Sequence, residues 1–139
     1  CTYLCSSGIN NNHRDPRRWD KSQEALDFIQ DLMDAPIPHI AIENPIGIIS
    51  SCIRKPDQIF QPWMFGHKEM KATCLWLKDL NPLKPTNIVG PPPKDPIERR
   101  KWERVHRASP GPNRWKTRSR MLLGIATAMA DQWGTLCHP

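Results

Sequence analysis

The sequence predicts an α/β fold on three observations: an amphipathic helix, a short unbroken apolar strand behind it, and a later pair of β-favouring segments. Residues 1–18, rich in Ser, Asn and Gly, read as loop, so the chain opens as if in the middle of a fold. From Asp20 to Asp34 the residues Ala25, Leu26, Ile29, Leu32 and Met33 recur at helical spacing. Asp20 or Ser22 can serve as N-cap, and Pro36 closes the end. Ile40-Ala41-Ile42 is apolar, unbroken and bounded by prolines, the pattern of a parallel strand covered on both faces. Glu43-Asn44-Pro45 then stands at its carboxyl end, where open α/β sheets collect ligands. Gln58 to Gln61 and Thr73 to Lys78, around the turn-like Gly66-His67-Lys68, predict an antiparallel strand pair. Eight prolines between Asn81 and Asn113 exclude long regular structure there, apart from a short helix around Ile97 to His106. A last helix is predicted over about 119–133, with Leu122, Ile125, Ala126, Met129 and Trp133 in one apolar stripe.

At 139 residues the chain fits a single domain, 1–139, with one core. Its hydrophobic share of 38% lies below the usual range of about 45–50%, and 15 prolines lie well above the usual share of about 5%, so much of the chain is irregular. No apolar run approaches the roughly 18 residues that span a bilayer, which predicts a soluble, cytoplasmic protein. The five cysteines are odd in number and scattered, which favours reduced thiols over a disulfide framework; no metal is expected. Of the net charge of +6, the stretch from Leu80 to Arg120 carries +8, with eleven Lys or Arg against three acids. A localised basic segment suits a polyanion, and it also suits a solvated loop.

Cys1-Thr2-Tyr3-Leu4-Cys5-Ser6-Ser7-Gly8, followed after a helix and a buried strand by Glu43-Asn44-Pro45, resembles the nucleophile loop and acid motif of phage-encoded DNA cytosine-5 methyltransferases. The segments Gln61 to Gly66, Lys71 to Lys78 and Asn113 to Ala130 are similar to later parts of that family. Thr2 stands where the family has glutamine, Pro45 where it has valine, and Ile125 where asparagine is common. The resemblance implies a partial Rossmann-like, S-adenosylmethionine-dependent methyltransferase sheet with flanking helices, a Pro-rich basic connection over about 81–113 and DNA as partner. It further implies a phage or prophage origin. On this reading the chain is the carboxy-terminal portion of an enzyme, with the cofactor loop and ribose-binding acid outside it. Alone it is expected to be inactive, to bind cofactor weakly, and to cover its exposed sheet face by forming a homo-oligomer.

The chemistry explains the residue types. Carbon 5 of cytosine is a poor nucleophile, and a thiolate added at carbon 6 turns the ring into an enamine that can take a methyl group. The resemblance assigns that thiolate to Cys1, ring protonation at nitrogen 3 to Glu43, and the fixing of their geometry to Asn44. It places cofactor contacts at Gly124, Ile125 and Ala126. An extruded base needs a basic, aromatic-bearing surface, for which Arg17, Arg18, Lys71, Arg99, Arg100, Lys101, Arg114, Lys116 and Arg118 are candidates. Each has a plainer reading: a buried thiol for Cys1, a helix cap for Glu43, an exposed cation for Lys71, and Arg stems packed on indole rings for the Arg-Trp clusters. A non-catalytic nucleic-acid-binding module of the same fold accounts for the basic segment equally well.

Overall fold

The computed structural model describes residues 2–10 and 12–134. The fold is mixed α/β with one small antiparallel sheet, and its contacts divide into two compact units. The first comprises the residues up to Ile59 together with Thr73–Pro82, and the second Phe60–Ala72 together with the residues from Leu83 onward.

In the first unit a one-turn helix α1 (Ser6–Ile9) is followed by α2 (Arg17–Asp34), strand β1 (Ile40–Pro45) and the short α3 (Ile49–Cys52). Strands β2 (Gln58–Phe60) and β3 (Thr73–Lys78) complete a sheet of order β1-β3-β2. The α2 helix starts earlier than its apolar periodicity indicates. The Asp15 carboxylate accepts the Arg17 backbone N–H at 3.2 Å, and Pro16 supplies a φ of −53°, so the Asp-Pro pair opens the helix. Ser22, a predicted N-cap, lies inside α2 and is buried. Leu26 and Ile29 of α2 pack with Leu4, Ile42, Ile49, Cys74 and Trp76 to form this unit's core.

The direction of β1 differs from expectation. It runs antiparallel to β3, with Ile42 opposite Trp76 and Asn44 opposite Cys74, and its burial alternates: Ile42 and Asn44 are buried while Ala41 and Glu43 are exposed. A run of three apolar residues fits a strand covered on either one or two faces, and the deciding partner arrives some thirty residues later. No parallel pairing occurs among the described named strands. β1 is also an edge strand, and Phe28, Leu32 and Ile37 are exposed in the same unit.

In the second unit Phe60 and Phe65 meet edge-to-face with ring centroids 5.6 Å apart. Pro62, Leu83, Trp102, Ile125, Ala128 and Trp133 are also buried in this unit. The Pro-rich stretch contains one short helix, α4 (Pro96–Arg100), whose N-cap Asp95 accepts from the Ile97 and Glu98 N–H groups. The predicted final helix is α6 (Leu123–Trp133), which starts later than residue 119; a short helix that was not expected, α5 (Arg114–Ser119), precedes it and ends where Arg120 turns extended.

Candidate functional site

The best-built constellation is in the first unit, where the loop after Cys1 is stitched to the segment leaving β1. Cys5 and Gly47 form an antiparallel bridge. The Ser6 N–H and hydroxyl both donate to the Ile46 carbonyl at 3.0 Å, and the Ile48 N–H donates to the Leu4 carbonyl at 2.9 Å. Glycine is required at the crossing: a Cβ on Gly47 would press into the Leu4 carbonyl and the Cys5 backbone. Gly8 is equally confined, since a Cβ there would run into the Thr2 carbonyl. Residues 2–8 are thus held beside the exit of the strand that carries Glu43 and Asn44. Cys1 itself lies outside the described residues.

Glu43 is exposed on β1 and Asn44 is buried at 3% exposure, its side-chain amide donating to the Pro45 carbonyl at 2.8 Å. Asn44 therefore braces the backbone where β1 ends. Across the register, burial pushes the Cys74 thiol above its ordinary value and the negative charge of Glu43 adds to the effect. Cys5 is half-buried, with its sulfur 3.3 Å from the Ser7 hydroxyl.

The predicted basic residues have separate fates. Arg18 turns inward: its Nη2 and Nε donate to the Gly8 carbonyl and Asn12 Oδ1, both at 3.2 Å, and its guanidinium stands 4.9 Å from the Tyr3 ring centroid. Arg17 points out and pairs with Asp15, whose carboxyl it holds below the usual range. The remaining basic candidates belong to the second unit. Lys101 pairs with Glu98 at 2.6 Å, Arg99 approaches Glu103 at 3.8 Å, and Arg100 is exposed. Arg114 donates to the Ala108 carbonyl, Lys116 lies 5.6 Å from the centroid of the 65%-exposed Trp115, and Arg118 is half-buried. Lys71 is half-buried, with its backbone N–H on Gln61.

Gly124, Ile125 and Ala126 open α6. The Gly124 N–H donates to His67 Nε2 at 3.0 Å, and a Cβ on Gly124 would meet the Phe65 carbonyl. Ile125 is buried. As arranged, the three residues form packing, with neither a free amide at Gly124 nor an open side chain at Ile125 for a cofactor. A separate cleft of about 530 Å³ in the first unit is floored by Met33, Ile40, Ile42 and Trp76 and rimmed by Arg54 and Lys78.

Two contributors, Asn12 and Ser22, lie outside the predicted site residues, Ser22 being expected only as a possible N-cap. Asn12, fully buried, donates to Ser22 Oγ at 2.9 Å, and Ser22 Oγ donates to the Arg18 carbonyl at 2.8 Å. The only available signal was a serine within a helix, one turn after an arginine. Among the described residues no three His, Cys, Asp or Glu side chains gather to hold a metal, and no helix is long and apolar enough to cross a membrane.

The chain matches no family model, no curated protein and no solved structure.

Proposed function

We propose that the chain contributes the nucleophile loop and acid of a DNA cytosine-5 methyltransferase, built on a Rossmann-like sheet. The observation that carries the reading is the stitching of residues 4–6 to residues 46–48, which sets the loop that follows Cys1 beside the end of the Glu43-Asn44 strand. A thiol at carbon 6 and a carboxylic acid at nitrogen 3 of one cytosine ring can act in concert. The Cys1 thiolate forms a bond to carbon 6, Glu43 delivers a proton to nitrogen 3, and the ring becomes an enamine, nucleophilic at carbon 5. Reversal returns the proton to Glu43 and expels the thiolate. In the family, S-adenosylmethionine supplies the electrophilic methyl group; because Gly124 to Ala126 do not fit it as arranged, no step of this chain is assigned to it.

The test uses the full-length gene product with DNA containing 5-fluorocytosine and S-adenosylmethionine. A covalent protein–DNA adduct that disappears in Cys1→Ser is the expected result. Salt-sensitive binding with no adduct supports the second reading, a non-catalytic nucleic-acid-binding module. One observation favours that alternative: the second unit carries thirteen Lys or Arg against five acids and exposes Trp115 beside Lys116. Such a surface suits phosphate contacts and base stacking.

A further inference from the structure

We infer that Arg18 is a positioning residue for the proposed nucleophile loop, tying Tyr3, Gly8 and Asn12 together and so fixing the backbone just past Cys1. The inference rests on the methyltransferase reading of that loop. Backbone bonds of α1 and the stitch to residues 46–48 hold the middle of the loop, while its flanks depend on side-chain contacts. Between Thr2 and Asn12 it is mostly Ser, Asn and Gly, and among its described residues Leu4 alone enters the apolar core. Such a segment orders only if polar contacts offset its conformational entropy.

Arg18 meets that requirement in three directions. Two nitrogens on one edge of the guanidinium reach two oxygens of different loop segments, Gly8 O and Asn12 Oδ1, while the whole group lies over the Tyr3 ring. A planar fork with a polarisable face can make all three contacts, and an ammonium point charge cannot. Lys21, one turn on, adds a second cation 6.0 Å from the same ring. The anchor is firm because it closes on itself: Asn12 donates to Ser22 Oγ, which donates to the carbonyl of Arg18. Asn12 and Ser22 are both buried, so their hydrogen bonds cannot be exchanged for water without exposing the loop. Arg17, its neighbour, has none of these contacts and pairs with Asp15 in solvent.

The test measures release of tritium from DNA cytosines labelled at carbon 5, without cofactor, by the full-length gene product. Reversible thiolate addition permits this exchange: the enamine takes a solvent proton at carbon 5, loses the original tritium to water, and then expels the thiolate. Arg18→Ala is expected to lower kcat by between about ten- and a hundredfold with KM unchanged, because misplacing the nucleophile costs the chemical step. Millimolar guanidinium should restore part of that loss, Arg18→Lys should remain impaired, and amide exchange at Gly8 and Ile9 should quicken in both variants. Wild-type kcat in Arg18→Ala, or in Arg18→Lys, overturns the inference. If the unaltered protein releases no tritium, the methyltransferase reading fails, and amide exchange still decides the clamp: unchanged protection of Gly8 and Ile9 in Arg18→Ala overturns it.

Discussion

Asp57 shows how one carboxylate can hold the end of a strand. It accepts from Arg54 Nη1 and Nη2 at 3.0 and 2.9 Å and from the Leu77 backbone N–H at 2.7 Å, and the Arg54 bond is the main reason its carboxyl lies below the usual range. A lowered folded-state value means stabilisation that is present above the ordinary 3.8 and lost as pH falls through the folded value. Asp57→Asn should therefore flatten the acid limb of the stability curve below about pH 4, read by denaturant titration at several pH values. The pair is partly exposed, so at neutral pH the loss from the ion pair should stay below about 1 kcal/mol. Cys74 has the opposite sign: its raised value gives stability that is intact below the ordinary 9.0 and lost as pH rises beyond it. Cys74→Ala should lose that alkaline slope, and in the native protein a thiol reagent should modify the exposed Cys52 well before Cys74. These roles were not legible in the sequence. Cys52 and Cys74 look alike until β3 buries one of them, and Asn12 in a run of asparagines gives no sign that Ser22 and Arg18 will enclose it.

At the scale of elements, what could be read was what depends on local pattern. The apolar spacing of α2, the six residues of β3 and the irregularity of the Pro-rich stretch all follow from near neighbours. What depends on distant partners could not be read: β1 takes its direction from β3. Nor was α5 expected, and α6 begins at Leu123 with no proline or glycine ahead of it to mark the late start. The crossing of the loop over the exit of β1 is of the same kind, since Gly47 looks like an ordinary turn residue until Leu4 lies against it. Gly47→Ala should push these two segments apart, costing about 1–3 kcal/mol of stability and, on the proposed reading, nearly all tritium release. Gly124→Ala should destabilise the start of α6 by a comparable amount through the Phe65 carbonyl, measured as a loss of amide protection in residues 124–128.

For the whole molecule the informative quantity is charge. The second unit carries +8 and the first −2, so the basic segment seen in the sequence belongs to one compact body. Several of its cations are neutralised by Glu98 and Glu103, which leaves the exposed Arg100 and the group around Trp115 as the better contacts for phosphate. On the proposed reading of the chain as a DNA-binding protein, affinity should fall linearly on a log–log salt plot, by about 0.9 per neutralised phosphate. Arg100→Ala should reduce that slope by about 1, and Trp115→Ala should weaken single strands more than duplex, both read by fluorescence titration. The central claim concerns the other unit: a thiol and an acid act together on one cytosine. Carbon-5 tritium release from DNA by the full-length gene product, compared with Cys1→Ser and Glu43→Gln, tests it most directly. The account predicts release that Cys1→Ser abolishes and Glu43→Gln slows by about a hundred- to ten-thousandfold; equal release by all three proteins, or none by the unaltered one, would contradict it.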